Sequence, residues 1–229
     1  MEQLPLAIVP EPQPSFDNFL AGANAAAVDD LRALACTSLP SPPVYLWGPA
    51  GCGKTHLLRA LVRRCEGAAQ GAAWFDAATP LPWHIAPGCA LAVIDRCDAL
   101  GEAAQHAAFA LFVEAADRGL QVAAAGRLPP VDLALRDDLR TRLGWGPVYA
   151  LQPLDDELTR AALLGEAWRR GIALPDEVVT HLLTHFPRDL GHLMHLIDRL
   201  DRYALAQGRR LTVPLLRRML ADQAVEAAP

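Results

Sequence analysis

The sequence predicts an α/β domain with a parallel five-stranded sheet, followed by a small all-helical domain. Five short apolar runs, typical of buried strands, alternate with segments that mostly have helical spacing. This alternation favours a parallel sheet covered by helices on both faces. From Asp155 onward, every periodic segment is helical, which indicates that the chain closes with a bundle of helices.

The expected elements divide the chain into three parts. We expect strands at 44–47, 72–76, 90–95, 121–125 and 148–151, and helices at about 24–35, 55–62, 102–118 and 137–143. Asn24 can cap the first of these helices. In the helical part we expect four helices that begin near residues 155, 175, 187 and 212. The predicted organisation is an extended arm at 1–15, an α/β domain at 16–152 and a helical domain at 153–229.

The segment between the first strand and the next helix has the pattern of a phosphate-binding loop. It fits G-x-x-x-x-G-K-[ST] at every fixed position. In such a loop, backbone N–H groups and a helix N-terminus point at one place and bind phosphate oxygens. The lysine would reach the β- and γ-phosphates, and the threonine hydroxyl would bind Mg²⁺. The residues predicted to bind the nucleotide here are Gly48, Pro49, Ala50, Gly51, Cys52, Gly53, Lys54, Thr55 and His56.

Composition gives separate support for Lys54. The chain has 21 lysines and arginines together, and Lys54 is the only lysine. An ammonium group is a compact point charge on a flexible stem, whereas a guanidinium group is a planar fork. A sequence biased this strongly toward arginine therefore keeps its one ammonium where that geometry suits phosphate binding.

A carboxylate ends the strand predicted at 90–95. Asp95 follows an apolar run and lies about forty residues after Lys54, as a strand–helix–strand–helix route would require. In phosphate-loop NTPases an aspartate at such a strand end holds Mg²⁺ through water. The residue after it is Arg96, and arginine cannot act as a base. We therefore expect a chain that holds a nucleotide and is poorly equipped to cleave it.

Charge, apolar runs and cysteines exclude several classes of protein. The formal net charge is −5, so neither a large nucleic-acid surface nor direct sequence-specific DNA binding is expected. No apolar run reaches transmembrane length and no signal peptide is evident, so no membrane partner is predicted. The five cysteines include no C-x-x-C pair and indicate reduced thiols. We expect a cytoplasmic protein.

The arm at 1–15 contains four prolines, which disfavour a helix or a central strand. The segment Gln3-Leu4-Pro5-Leu6 and the residues after it are nevertheless apolar. An extended peptide of this kind can dock in pockets of a partner, or it can pack as a strand on its own domain. The aromatic residues Phe16 and Phe19 either wall an adenine pocket or anchor the arm to the core.

Six segments carry a family resemblance that covers nearly the whole chain. They are residues 16–19, 48–55, 91–95, 138–146, 151–154 and 186–190. Together they resemble the AAA+ ATPases, and within these the DnaA-related proteins and the Hda family of regulatory inactivators of DnaA. The resemblance implies an AAA+ P-loop NTPase domain followed by a helical lid.

The resemblance also implies roles for single residues. It places an arginine finger on Arg142 and a phosphate-sensing arginine of the lid on Arg188. It likens Gln3-Leu4-Pro5-Leu6 to the peptide that clamp-binding proteins insert into the DNA polymerase sliding clamp, which favours the docking interpretation of the arm. The sequence stops at Pro229, soon after the lid and without the initiator's DNA-binding domain, which favours Hda over DnaA.

Two departures from the family pattern bear on hydrolysis. Arg96 replaces the acidic or amide residue that usually follows the Mg²⁺ aspartate. Gly126 stands where the family has a polar residue that senses the γ-phosphate. Both departures make independent ATP hydrolysis doubtful and leave nucleotide binding intact.

The resemblance therefore implies a negative regulator of chromosomal replication initiation. Such a protein would hold ADP or ATP with Mg²⁺ and dock on the DNA-loaded sliding clamp, the β subunit of DNA polymerase III. It would present Arg142 in trans to ATP bound by DnaA, with little or no ATPase activity of its own. The alternatives are an autonomous AAA+ ATPase, such as a remodeller or helicase loader, and a scaffold with a vestigial site.

Overall fold

The computed structural model describes residues 13–34, 42–187 and 189–226. The residues predicted to bind the clamp, Gln3, Leu4, Pro5 and Leu6, lie outside the described residues, and so does Arg188. The chain divides into two compact units that interleave along the sequence. Among the described residues, the first unit comprises 13–19, 26–34, 42–46 and 54–149, and the second comprises 20–25, 47–53, 150–187 and 189–226.

A five-stranded parallel sheet is confirmed. The strands are β1 (Val44–Trp47), β2 (Gly71–Phe75), β3 (Cys89–Ile94), β4 (Gln121–Gly126) and β5 (Val148–Ala150), and they lie in the order β2-β3-β4-β1-β5. The pairs β2–β3 and β3–β4 are parallel. Every residue of β4 is buried, as expected for a strand inside a parallel sheet with covered faces. This order places the ends of β3 and β4 side by side.

One helix precedes β1, and three more follow β1, β3 and β4 in the chain. They are α1 (Ala25–Leu34), α2 (Lys54–Gly67), α3 (Glu102–Arg118) and α4 (Asp137–Leu143). Gly119 ends α3 in the left-handed conformation, with φ of 66°, a conformation that glycine adopts without steric cost. Helix α2 buries Leu57, Leu58 and Leu61, so its apolar side chains pack inward.

One local expectation is wrong. A helix at about 24–35 suggested Asn24 as its N-cap, but Asn24 belongs to a 3₁₀ turn that precedes α1. Its side-chain amide bonds the backbone of Gln152 twice, accepting from N–H at 2.8 Å and donating to C=O at 2.9 Å. The buried amide of Asn24 thus pairs with a residue that is distant in sequence, whereas the rule that predicts caps considers only nearby backbone N–H groups.

The second unit contains the four helices expected in the last third of the chain. They are α5 (Asp156–Arg169), α6 (Asp176–His185), α7 (Leu190–Gln207) and α8 (Val213–Glu226). Leu163, Leu182, Leu193 and Leu216 are fully buried in one apolar cluster, which is why these four amphipathic helices pack together. In the described parts of the chain, no helix has both the length and the apolar character that crossing a bilayer demands.

Two aspartates cap helices of the second unit. The Asp155 carboxylate accepts a hydrogen bond from the backbone N–H of Leu158 at 2.8 Å. Asp189 accepts one from the N–H of His192 at 3.1 Å. Each bond satisfies an N–H group that the helix itself leaves unpaired, which stabilises the helix by about 1 kcal/mol. The Asp189 cap also fixes where α7 begins.

Candidate functional site

The structure brings Thr55 and Asp95 into direct contact. Thr55 lies in the first turn of α2, and Asp95 follows β3 with only 3% of its surface exposed. The Thr55 hydroxyl donates to Asp95 Oδ2 at 2.8 Å. The other carboxylate oxygen, Oδ1, accepts the backbone N–H of Arg96 at 3.0 Å. A hydroxyl and a carboxylate predicted from separate motifs therefore stand within one hydrogen bond of each other.

These two groups suit Mg²⁺, which takes oxygen ligands and usually keeps several waters. Among the described residues, no cluster of three or more histidine, cysteine, aspartate or glutamate side chains could hold a metal ion alone. A cation at Thr55 and Asp95 would thus need phosphate oxygens and water to complete its shell. That donor set is typical of Mg²⁺ bound together with a nucleotide.

The phosphate-binding loop has the backbone conformation that its glycines predict. Gly48, Gly51 and Gly53 have φ of 149°, 79° and 93°, values that residues with a Cβ rarely adopt. A Cβ at Gly48 would also lie 2.3 Å from the carbonyl oxygen of Leu151. Position 48 therefore requires glycine, because a side chain would strain the backbone and would also overlap Leu151.

The start of α7 lies against this loop within the second unit. A Cβ at Gly51 would stand 2.7 Å from Cα of Asp189. Asp189 directly follows Arg188 in the chain, so the segment that carries the predicted phosphate-sensing arginine adjoins the loop. Ala50 borders an open pocket of about 470 Å³ whose other lining residues are Pro153, Leu154 and Asp155.

The remaining loop residues differ in exposure. Pro49 and Ala50 are exposed, and Cys52 is buried. Lys54 is half-buried and is the first residue of α2. The residue types that would contact phosphate are thus placed at the N-terminus of a helix, where its dipole attracts anions.

His56 contacts the segment that precedes α1. One of its ring nitrogens is 3.0 Å from the carbonyl oxygen of Ser15, and its ring lies 5.4 Å from that of Phe19. Burial lowers the pKa of His56 below its ordinary value, although the hydrogen bond to Ser15 acts in the opposite direction. Phe16 is buried in the core beneath Arg32, which fits the anchoring role considered for it.

The lowered pKa of His56 predicts a pH dependence of stability. Below the ordinary value of 6.5, the unfolded chain binds a proton at His56 that the folded chain does not yet bind. The free energy of unfolding should therefore fall as the pH drops below 6.5 toward the lower pKa of His56 in the folded chain. Above pH 6.5 it should keep its full value. Urea titrations of the wild type and of His56→Gln, from about pH 5 to about pH 8, measure the difference.

That difference isolates His56. His181, whose pKa burial also lowers, is present in both proteins, so its contribution cancels. A difference in unfolding free energy that stays constant across this range would contradict the prediction.

Arg96 occupies the place that follows the Asp95 carboxylate, and it is paired elsewhere. Its guanidinium donates to Asp76 at 2.7 Å, across the ends of β3 and β2. Its backbone is left-handed, with φ of 52°, which costs a residue with a side chain about 1–2 kcal/mol. Burial pushes the pKa of Asp76 up, but hydrogen bonds led by that from Arg96 bring it below its usual range. This corner of the site thus holds a salt bridge in place of a free carboxylate.

The lack of a side chain at Gly126 has a steric cause that sequence reasoning missed. A Cβ at this position would lie 2.1 Å from the hydroxyl oxygen of Tyr45 and 3.4 Å from Oδ1 of Asp98. Tyr45 is fully buried in β1, and its hydroxyl donates to the carbonyl of Leu128 at 2.9 Å. Burial raises the pKa of this hydroxyl far above its ordinary value. Tyr45 therefore fills the space that a side chain at the end of β4 would need.

This contact predicts the outcome of filling position 126. Gly126→Ala should lower the free energy of unfolding by about 1–3 kcal/mol, because the new methyl group overlaps the Tyr45 hydroxyl. In a Tyr45→Phe background the penalty should shrink, since the nearest remaining Tyr45 atom would be the ring carbon Cζ at 3.3 Å. Chemical denaturation of the four proteins of this double-mutant cycle measures the coupling.

Gly144→Ala serves as the matched control. A Cβ at Gly144 would meet its nearest atom at 3.5 Å, which is ordinary contact, so little effect is expected. Equal penalties for Gly126→Ala with and without the Tyr45 hydroxyl would show that the steric account is wrong.

Arginines on and beside α4 differ in their partners. Arg136 donates to both oxygens of Asp138, at 3.2 Å and 2.6 Å. Arg140 donates to Asp137 and, at 3.2 Å, to the carbonyl of Val131. The Arg142 guanidinium has no hydrogen-bond acceptor or salt-bridge partner among the residues that the structure describes, and it lies instead over the rings of Trp145 and Phe109. Its N–H donors are therefore available to an anion from outside.

Sequence comparisons with known proteins agree with the family resemblance described above. A curated protein of Haemophilus influenzae, described as uncharacterized, is 30% identical over 228 residues, 96% of this chain and 98% of that protein. Family models match both parts of the chain: the bacterial DnaA ATPase domain at residues 11–73 and the Hda lid domain at residues 156–220. The chain belongs to the Hda/DnaA-related AAA+ family.

Solved structures show the same AAA+ fold. Domain III of the replication initiation protein DnaA from Thermotoga maritima superposes with a TM-score of 0.77 at 21% identity, covering 93% of this chain and 97% of that chain. AMPPCP-bound DnaA from Aquifex aeolicus gives 0.70 at 18% identity, covering 93% and 71%. At these identities the likeness establishes the fold of this Hda/DnaA-related chain, and its function must be argued from its own residues.

Proposed function

We propose that this Hda/DnaA-related chain is a regulator of replication initiation that holds a nucleotide and stimulates hydrolysis of ATP bound by DnaA. The observation that carries the proposal is the guanidinium of Arg142, which has no hydrogen-bond acceptor within the described ranges, whereas the neighbouring arginines are paired to aspartates. An arginine supplied in trans neutralises charge in the transition state of phosphoryl transfer and accelerates it by roughly 10³–10⁵.

ADP or ATP would be held by the loop together with Lys54 and Arg188. The loop from Gly48 to Gly53 would supply backbone N–H groups except at Pro49, which has none, Lys54 would supply its ammonium, and Arg188 would contact the phosphates from the lid. Thr55 and Asp95 would hold Mg²⁺, with Asp95 acting through water. When bound, Mg²⁺ supplies charge neutralisation at the phosphates. The AMPPCP in DnaA from Aquifex aeolicus supports nucleotide binding on this fold.

The chain itself should hydrolyse its nucleotide slowly. Polarising an attacking water requires a carboxylate or amide near Asp95, and Arg96 there is bonded to Asp76 at 2.7 Å. At the end of β4, Tyr45 leaves no room for a side chain at Gly126. The nucleotide would therefore act as a structural ligand that stabilises the folded chain, while the bond that breaks belongs to the partner.

The other partner of the proposal is the DNA-loaded sliding clamp. Gln3, Leu4, Pro5 and Leu6 would dock on it as an extended apolar peptide. Clamp binding would raise the local concentration of the chain near DnaA on DNA, which removes the need for direct sequence-specific DNA binding. Both partners place the protein in the cytoplasm.

A reconstituted assay tests the proposal. DnaA loaded with labelled ATP is mixed with the chain and with the clamp on DNA, and ADP formation on DnaA is followed. We expect acceleration by the full chain and little by a chain that lacks residues 1–9, which should also fail to bind immobilised clamp. Rapid phosphate release by the chain alone would instead favour an autonomous AAA+ ATPase.

A further inference from the structure

Two aromatic rings flank the guanidinium of Arg142. Its Cζ atom lies 4.6 Å from the ring centre of Trp145 and 6.0 Å from that of Phe109 on α3. Both distances fall within the range of cation–π attraction, and tryptophan is the strongest partner for it. The guanidinium thus lies against ring faces, and no residue that the structure describes accepts a hydrogen bond from its N–H groups.

The local backbone explains why the Trp145 ring reaches Arg142. The N–H of Gly144 donates to the carbonyl of Arg140 at 3.0 Å and ends α4, and the N–H of Trp145 donates to the carbonyl of Arg142 at 3.3 Å. This turn returns residue 145 to the side of residue 142. A Cβ at Gly146 would lie 2.1 Å from the carbonyl oxygen of Pro43, so the turn also packs tightly against the segment that leads into β1.

The Trp145 side chain contributes little to the core. It is 67% exposed, and large aromatic side chains normally stabilise a fold by being buried. Among the described residues, its ring contacts the guanidinium of Arg142. Arg136 and Arg140 are instead paired to Asp138 and Asp137. A ring face restricts an arginine in the same way but leaves the planar fork free for a phosphate.

We propose that Trp145 is a positioning residue that holds Arg142 in the orientation in which it is presented to a nucleotide on a partner. The inference rests on the proposed function of Arg142 and adds the device that preorganises it. Phe109 supplies the second ring face from α3. Without Trp145, the arginine samples more rotamers, and part of the binding free energy is spent on ordering it.

The other role open to an exposed tryptophan is to anchor the partner by direct contact, and the kinetics of stimulation separate the two. A positioning residue acts on the maximal rate of partner ATP hydrolysis at saturating chain, because it sets the orientation of Arg142 in the complex. A docking anchor acts on the concentration of chain that gives half of that rate.

The test uses full-length chain, DnaA loaded with ATP, and clamp on DNA. For Trp145→Leu we expect the maximal stimulated rate to fall about two- to fivefold, the scale of an exposed cation–π contact, with the half-saturating concentration unchanged. Trp145→Phe, which retains a ring face, should keep at least about half of the wild-type rate. Trp168→Leu, at an exposed tryptophan on α5, is the matched control and should behave as wild type.

A second readout needs no partner. In the NMR spectrum of the free chain, the Arg142 side-chain resonances, assigned by their loss in Arg142→Gln, should carry an upfield ring-current shift. Trp145→Leu should reduce that shift and Trp168→Leu should not. This signature reports whether the Trp145 ring stacks on Arg142 in solution, and the maximal stimulated rate reports whether that contact positions the guanidinium.

The outcomes distinguish this inference from the proposed function. Wild-type maximal rates for Trp145→Leu, a change in half-saturating concentration alone, or Arg142 resonances that Trp145→Leu does not move would each overturn the positioning role. Undiminished stimulation by Arg142→Ala would overturn the proposed function itself, even if the ring-current shift is found.

Discussion

Replacing Arg142 by alanine should abolish most of the stimulation of DnaA-bound ATP hydrolysis. The guanidinium would neutralise charge that develops on the partner's phosphates, and a finger of this kind accounts for roughly 10³–10⁵ in rate. We expect the loss to be at least about 100-fold in an assay of ADP formation on DnaA, with DNA-loaded clamp present. Because the proposed role of Arg142 is in trans, the affinity of the mutant for its own ADP should equal that of wild type.

Arg140→Ala is the matched control for this experiment. It removes the same charge from the same short helix, but Arg140 is already occupied by Asp137 and by the carbonyl of Val131. Its loss should change the stimulated rate by no more than about threefold, the scale of a screened surface charge pair. Arg142→Lys should retain little activity, since an ammonium lacks the bidentate fork. Arg142→Ala that still accelerates hydrolysis as the wild type does would refute the role of the finger.

Much of the fold could be predicted because it follows rules that operate over short stretches of sequence. Buried parallel strands read as apolar runs, and the loop at 48–55 has a fixed pattern with glycines at positive φ. The caps at Asp155 and Asp189 likewise involve donors three residues away. Spacing alone therefore gives the order of elements and the position of the loop.

The contacts that modify the site could not be predicted, because each joins residues that are distant in sequence. Tyr45 meets the position of a Gly126 side chain across two neighbouring strands, and no spacing rule pairs them. Arg96 bonds Asp76 across β3 and β2. Asn24 was expected to cap a helix, but the backbone of Gln152 competes for its amide.

The contact between Arg142 and Trp145 could not be predicted either, although the two residues are close in sequence. From sequence, Gly144-Trp145-Gly146 reads as the stop of a helix, and this is where α4 ends. The stop also folds the Trp145 ring over Arg142, which depends on the turn geometry and on the close approach of Gly146 to Pro43. The sequence shows which residues are present at 142 and 145, whereas the orientation of the Trp145 ring is known only from the structure.

Replacing Lys54 by alanine should remove most of the affinity for ADP. Lys54 begins α2 beside Thr55, whose hydroxyl is bonded to Asp95 at 2.8 Å, and the lysine of a phosphate-binding loop reaches the β- and γ-phosphates. Losing a charge-assisted contact of this kind costs about 3 kcal/mol, or about 100-fold in affinity. Calorimetric titration with ADP measures this loss. ADP should raise the melting temperature of the wild type and leave that of Lys54→Ala unchanged.

Arg59→Ala provides a control on the same helix, because Arg59 is exposed and lies over Trp74 at 5.8 Å. Its removal should leave ADP affinity within about twofold, as expected for a surface charge. Lys54→Arg should recover only part of the loss, since a planar guanidinium cannot replace a compact ammonium inside a glycine loop. An affinity of Lys54→Ala close to that of wild type would mean that the loop is vestigial. The proposed regulator would then be a scaffold that presents Arg142 without any nucleotide of its own.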